Sequence, residues 1–156
     1  MIRRTLLYAW AVGGLLTASC AGDTLVHRYA TLPADGWARR DTVCFDLPVY
    51  AEDISGILTV GLRTKAGLAI RDIVLAVEQC DSNAFVFRRD TIRYPLTDNE
   101  GDALTSGVNF HQYETQHVPF RMEKDREGCV RIYHLMTKET IPGITEVGIR
   151  IRNKED

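Results

Sequence analysis

The sequence predicts an all-β protein: an antiparallel β-sandwich of the jelly-roll type, with about eight strands, behind a lipoprotein signal peptide. Three observations predict this class. Short segments with apolar residues at alternate positions recur along the chain. Clusters of Gly, Pro, Asn and Asp separate these segments. No stretch after the signal peptide has the period of an amphipathic helix.

The first twenty residues have the layout of a bacterial lipoprotein signal. Arg3 and Arg4 precede an uncharged apolar run, and small residues then lead into Cys20, as in a secretory signal peptide that ends in a lipobox. A signal peptidase of the lipoprotein type would cleave before Cys20, which would then carry the lipid. The predicted organisation is a signal peptide over residues 1–19, a lipidated tether over residues 20–24 and a single β-sandwich domain over residues 25–156.

Two other interpretations of this segment stay open. Thr17 stands three residues before Cys20, where lipoboxes usually have Leu, and this leaves ordinary signal cleavage nearby as one alternative. An uncleaved anchor is the other, although a membrane helix needs about 20 apolar residues and the uncharged span from Thr5 to Gly22 contains Gly13 and Gly14. We expect lipidation of Cys20, and with it attachment to a cell-envelope membrane on the side that faces the periplasm.

Composition limits the classes of partner. Removal of residues 1–19 leaves 137 residues with 17 basic and 21 acidic side chains, enough chain for one core. A mildly acidic domain lacks the charge of a nucleic-acid binder, so no nucleic acid is expected as a partner. Cys44, Cys80 and Cys129 remain after Cys20: one pair would close in an oxidising compartment, or all three would pack as buried thiols.

The first half of the domain predicts three strands. Leu25 to Leu32 alternates loosely and is followed by a turn that delivers Trp37 to the edge of the core. Thr42 to Val49 is a strand, and Pro48 indicates an edge position or a strand end. Ile57 to Thr64 alternates more cleanly. The side chains expected to face inward here are Val43, Phe45, Leu47, Leu58, Val60 and Leu62.

The middle of the domain predicts a central strand and then an irregular one. Ile70 to Gln79 is apolar on both faces, which is typical of a strand covered on both sides. Phe85 and Phe87 begin another inward face, but the charged residues that follow shift its phase before Ile92. Either a β-bulge or a switch between sheets would explain the shift.

The last part predicts a long polar loop and three strand regions. The loop covers residues 97–107, and the strand regions are Val108 to Phe120, Gly128 to Met136 and Thr145 to Arg152. The predicted core between the two sheets consists of Leu58, Val60, Leu62, Ile73, Leu75, Ile149 and Ile151.

Short catalytic signatures are absent from the sequence, including Gly-x-Ser-x-Gly, His-Glu-x-x-His and the phosphate-binding glycine loop. The best candidate for chemistry is His111, Tyr113 and His117, which would share one strand face with Glu114 on the other. Six residues of strand separate the two histidines by about 20 Å, too far to share a metal ion. A polar, solvated face is the favoured interpretation, so we predict no catalytic residue, metal site or cofactor.

Two charged segments have alternative interpretations. The run from Asp98 to Asp102 gathers oxygen ligands around Gly101 but lacks the ligand order of a helix-loop-helix calcium site, and a solvated turn is favoured. Arg88-Arg89-Asp90, together with the outward Arg150 and Arg152, would suit an acidic partner, although charges on strands are usually just solvated.

Three segments carry a family resemblance. They are Tyr29 to Trp37 (YATLPADGW), Arg89 to Leu96 (RDTIRYPL) and Pro142 to Ile151 (PGITEVGIRI). In this order behind a lipobox, they resemble the GldH-type gliding-motility lipoproteins of Bacteroidetes, over almost all of the mature chain. The resemblance implies a cell-envelope lipoprotein tied to gliding and its associated secretion machinery, with no known enzymatic site.

Two function classes follow. The first is a non-enzymatic envelope lipoprotein that binds partner proteins of that machinery, and the second is a surface β-sandwich that binds carbohydrate. Carbohydrate sites usually present several exposed aromatic side chains, whereas Trp37 is the only tryptophan of the mature chain. The first class is therefore favoured.

Overall fold

The computed structural model describes residues 23–115 and 117–154. Cys20 and the predicted signal peptide lie outside this part of the chain. Eleven strands are present in the described residues: β1 (Thr24–Thr31), β2 (Trp37–Ala38), β3 (Val43–Leu47), β4 (Ile54–Lys65), β5 (Asp72–Asp81), β6 (Val86–Pro95), β7 (Phe110–Glu114), β8 (Val118–Met122), β9 (Gly128–His134), β10 (Thr140–Ile141) and β11 (Ile144–Asn153). No helix within these residues is long and apolar enough to cross a membrane.

The first sheet is built around the long strand β4. Strand β11 pairs with one edge of β4, and β1 pairs with β11. On the other edge, β7 pairs with the second half of β4 and β8 with its first half. Thr115 continues the ladder between β7 and β8, because its amide donates to Val60 O at 2.8 Å and its Oγ1 accepts from Val60 N at 3.0 Å.

The second sheet has the strand order β3-β9-β5-β6, and all its pairs are antiparallel. Strand β3 lies at an edge, which agrees with the position of Pro48 directly after it. Strand β5 is central, as its apolar run predicts. The short strands β2 and β10 form a separate two-stranded ribbon that holds Trp37 opposite Ile141.

The inner faces of the two sheets enclose one hydrophobic core. All seven side chains of the predicted core are at most 1% exposed, so the inward faces of β4, β5 and β11 are confirmed. Trp37 is also fully buried, and its Nε1 donates to Asp41 O at 2.9 Å. The all-β sandwich prediction is confirmed. The strand count exceeds eight because β2 and β10 form a separate ribbon and because the predicted strand from Val108 to Phe120 is divided into β7 and β8.

The predicted inward positions of Phe85 and Phe87 are wrong, since their side chains are 67% and 45% exposed. Phe85 precedes the first residue of β6, and β6 is the edge strand of the second sheet. The register of β5 against β6 shifts between Gln79 and Cys80. Of the two explanations for the phase change, this bulge is the correct one, and the two phenylalanines lie at the end of the hairpin rather than over the core.

Candidate interaction surfaces

The described chain begins and ends at one end of the sandwich, which we call the anchor end. Asn153 N donates to Asp23 O at 2.9 Å, and Lys154 N donates to Ser55 O at 3.0 Å. Because the pairing is antiparallel, the β5–β6 hairpin and the loops that precede β4 and β9 lie at this end too. The opposite end, here the far end, carries the loops after β4 and β6.

Large exposed apolar side chains of the described residues divide between these two ends. Val49, Phe85 and Phe87 are at the anchor end; Leu104, Val108, Phe110 and Leu135 are at the far end. Scattered single apolar residues on a surface need no explanation, whereas grouped ones mark contact sites. Both ends are therefore candidate interaction surfaces.

The far-end patch consists of Leu104, Val108 and Phe110, which are 53%, 90% and 61% exposed. The loop that carries Leu104 and Val108 leads into Phe110, the first residue of β7. Its backbone is held at two points: Leu104 N donates to Leu96 O at 3.0 Å, and Ala66 N donates to Asn109 O at 3.0 Å. A cleft of about 590 Å³ lies beside it. The backbone contacts hold this segment in place while its apolar side chains remain in solvent.

The anchor-end cleft is larger, about 700 Å³. Its uncharged lining residues are Ile54, Ser55, Phe85, Phe87 and Met122. The charged side chains around it are Asp53, Asp81, Arg121, Glu123, Arg126 and Glu127. The cleft thus combines an apolar wall with a rim that carries two more acidic than basic groups.

The structure brings together only two of the three candidate residues His111, Tyr113 and His117. His111 and Tyr113 are neighbours, with ring centroids 6.4 Å apart. Tyr113 is buried and its hydroxyl donates to Leu96 O at 3.0 Å, while burial raises the pKa of this phenol. His117 is exposed beyond the interruption at Thr115, after which Val118 takes the inward place. The prediction that His117 shares this face is therefore wrong.

The acidic turn from Asp98 to Asp102 brings its three carboxylates close together. One carboxylate oxygen from each of Asp98, Glu100 and Asp102 lies within 4.8 Å of the others. Asp98 Oδ1 already accepts the amides of Glu100 and Asp102, each at 2.9 Å. The Asp98 side chain therefore caps its own turn, as the solvated-turn interpretation expects.

Three of the four arginines that the sequence offered to an acidic partner are paired within the chain. Arg88 Nε donates to Asp90 Oδ2 at 2.7 Å. Arg89 pairs with Glu78, and Arg150 pairs with Glu114. These intramolecular pairs leave little unbalanced positive charge for an acidic ligand.

A charged cluster centred on Glu78 escaped sequence reasoning. Glu78 lies in β5 on the outer face of the second sheet and is 4% exposed. Arg89 Nε, Arg131 Nη2 and Tyr133 Oη approach its carboxylate at 2.8, 2.9 and 2.9 Å. Burial alone would raise the pKa of Glu78, but the hydrogen bonds from Arg89 and Tyr133 and the charges of both arginines outweigh it and lower the pKa. The glutamate within the apolar strand β5 was the one sequence feature that pointed to this cluster. Its partners lie on β6 and β9, so the sequence alone did not identify them.

Thr24 to Ile151, almost the whole sandwich, matches the family model described as GldH lipoprotein. This chain belongs to the GldH lipoprotein family. The match confirms the resemblance carried by the three sequence segments. A curated relative, the gliding motility lipoprotein GldH of Flavobacterium johnsoniae, is 22% identical over 153 residues, which is 92% of this chain and 94% of the relative.

Solved structures are less similar to this GldH family member. A CocE/NonD family hydrolase from Staphylococcus aureus is 8% identical, with 85% of this chain and 33% of that chain covered and a TM-score of 0.42. An uncharacterized protein from Listeria monocytogenes is 18% identical, with 81% and 11% covered and a TM-score of 0.43. Both TM-scores are too low to carry an argument.

Two of the family-like segments meet on the outer face of the first sheet. Tyr29 of β1 is the register partner of Gly148 of β11. Its ring lies over Gly148 and Gly61, where neither glycine has a side chain to displace it. Arg63 stacks on the ring with its guanidinium carbon 4.1 Å from the centroid, and also pairs with Glu146. The first and third of the GldH-like segments therefore contribute to one packed patch.

The three cysteines of the domain are free thiols on the outer face of the second sheet. Cys80 of β5 and Cys129 of β9 are register partners. Cys44 of β3 is the register partner of Arg131 of β9. Burial, with the Cys80 thiol as hydrogen-bond neighbour, raises the pKa of Cys129 to about 12. Burial also raises the pKa of Cys44. Both thiols are therefore protonated at neutral pH and poorly nucleophilic.

Proposed function

We propose that this GldH family member is a non-enzymatic lipoprotein, held to an envelope membrane by lipid on Cys20, that binds a partner protein of the gliding or associated secretion machinery. Family membership and the curated relative support the setting. The far-end patch of Leu104, Val108 and Phe110 is the observation that carries the binding role.

The position of this patch suits a partner in the periplasm. The tether would leave the domain at Asp23, and the patch lies at the opposite end of the sandwich. An end that faces away from the bilayer is open to another protein. Apolar side chains that a folded domain keeps in solvent on a well-held loop are typical of a protein-binding site.

The arrangement of the titratable side chains supports a binding role without catalysis. His111 and His117 lie on different sides of the strand interruption. Glu78 is engaged by two arginines and a tyrosine, and Cys44 and Cys129 have raised pKa values. The tryptophan that would serve a carbohydrate site is buried in the core.

The experiment is a double substitution, Val108→Ser with Phe110→Ser, in the native host. Both side chains are exposed, so each change should alter stability by no more than about 0.5 kcal/mol. We expect normal protein levels together with the same phenotype that deletion of the gene produces. A photo-crosslinking amino acid at position 108 should give a discrete protein adduct in living cells, whereas Leu135→Ser, at the same end outside the loop, should leave the phenotype intact.

Wild-type activity of the double variant at normal levels, with no adduct from position 108, would remove the support for a far-end partner. The anchor is tested separately by labelled palmitate. Wild type should incorporate the label and stay with the membrane fraction, and Cys20→Ala should not incorporate it. An unlabelled wild-type protein would contradict lipidation.

A further inference from the structure

We infer that the anchor end is a second membrane contact, at which Phe85 and Phe87 enter the interfacial layer of the bilayer that holds the lipidated Cys20. The occupant of the anchor-end cleft is thus the lipid surface itself. This inference rests on the lipid anchor of the proposed function and adds a fixed orientation of the domain to it.

Covalent geometry sets the distance between this end and the membrane. Strand β1 begins at Thr24, so only Ala21, Gly22 and Asp23 separate it from Cys20. Three extended residues span at most about 11 Å. The polar layer on each side of a bilayer is about 5–7 Å thick. An acylated Cys20 would therefore keep Asp23 at or just above the lipid headgroups.

Backbone hydrogen bonds tie Phe85 to the same end as Asp23. Asp23 O accepts the amide of Asn153, and the next residue, Lys154, donates its amide to Ser55 O. Ser55 and Phe85 line the same cleft. The tip of the β5–β6 hairpin therefore lies at the same end of the domain as the tether, whose short length keeps this end near the bilayer.

The hairpin tip has the chemistry of an interfacial insertion rather than of a protein groove. Two phenylalanines, about half to two-thirds exposed, lie at the tip of the β5–β6 hairpin, and Val49 is exposed at the same end. Apolar side chains at the boundary between headgroups and acyl chains strengthen peripheral membrane binding.

The charges around the cleft favour apolar insertion over attraction to anionic lipid. Four carboxylates and two guanidinium groups line it, and Arg126 already pairs with Glu123 at 3.3 Å. A rim with this balance gains nothing from a negative surface. We therefore expect the contact to be no stronger on mixtures with phosphatidylglycerol than on phosphatidylcholine alone.

The test uses the full-length lipidated protein, purified from membranes and reconstituted into vesicles. Phe85→Trp reports on the anchor end, and Phe110→Trp is its matched control, since it makes the same change in an exposed phenylalanine at the far end. Trp37 contributes the same buried background to both variants. Vesicles are made from phosphatidylcholine with or without bromine on the acyl chains, and bromine quenches tryptophan on contact.

We expect brominated lipid to quench Phe85→Trp and shift its emission to shorter wavelength, with no change for Phe110→Trp. Addition of phosphatidylglycerol should not increase the quenching. Equal responses of the two variants, in vesicles to which both proteins remain bound by flotation, would overturn the membrane contact and leave the anchor standing. Wild-type protein that does not float with vesicles would overturn the anchor itself, and the inference with it.

Discussion

The packing of Tyr29 over two glycines makes a prediction about Gly148→Ala. Its effect on the free energy of unfolding should change sign when Tyr29 is also replaced by Ala. A Cβ on Gly148 would lie 2.6 Å from Tyr29 Cδ1 and Cε1, well inside van der Waals contact. The substitution Gly148→Ala must therefore push the ring away from its place under Arg63. With Tyr29→Ala already present, the three ring atoms nearest to the added methyl group would be gone.

The magnitudes follow from three terms. Alanine in place of glycine within a strand is favourable by about 0.5–1 kcal/mol. Forcing a packed ring out of position costs about 1–3 kcal/mol, and the lost stacking of Arg63 on the ring adds about 0.5–1 kcal/mol. We expect Gly148→Ala to destabilise the wild type by about 1–3 kcal/mol and to stabilise the Tyr29→Ala protein by about 0.5–1 kcal/mol, a coupling typical of side chains in contact.

Urea unfolding of the mature chain measures all four proteins of this cycle. Trp37 is the only tryptophan after Cys20 and is fully buried, so its fluorescence reports loss of the core. The midpoints should shift while the slopes stay equal. If Gly148→Ala has the same sign and size in both backgrounds, Tyr29 does not occupy this place and the reasoning fails.

Three further predictions concern the core, pH and the histidine candidate. Leu62→Asp should abolish the folded state seen by circular dichroism, because an unpaired buried charge costs several kcal/mol. Burial holds the pKa of His134 below its ordinary value of 6.5. Because the unfolded chain then binds a proton that the folded chain does not, the free energy of unfolding should fall as the pH drops below about 6.5. Urea unfolding should show a smaller fall for His134→Gln than for the wild type. Joint replacement of His111 and His117 by Ala should leave the host phenotype intact, measured as complementation of a gene deletion.

Each of these three predictions can be contradicted by a specific result. A folded Leu62→Asp domain would mean that β4 presents its other face to the core. A pH dependence unchanged in His134→Gln would assign the acid sensitivity to other groups, such as the ion-paired Glu78, whose stabilising effect is also lost as pH falls through its lowered pKa. Loss of the phenotype in a stable histidine double variant would restore a chemical role to that strand.

Strands with clean alternation were predictable because burial there is decided locally. In β4 and β11 every second side chain faces the core, so apolar character at alternate positions indicates the inward face without knowledge of strand order. The same pattern failed at Phe87, because the bulge between Gln79 and Cys80 changes the register of the edge strand. It failed at His117, because the pairing partner of β4 changes from β7 to β8 there and the inward position after Thr115 falls on Val118.

The sequence by itself determined the class of the fold, the buried positions of the regular strands, the predicted lipidation at Cys20 and the family resemblance, since each depends on local residue order. Only the tertiary structure decided which surfaces exist. The contact of Tyr29 with Gly148, the carboxylate of Glu78 between two arginines, and the separation of Phe85 from Phe110 all depend on strand order and register. These are properties of long-range pairing, which residues distant in sequence decide together, and no local pattern encodes them.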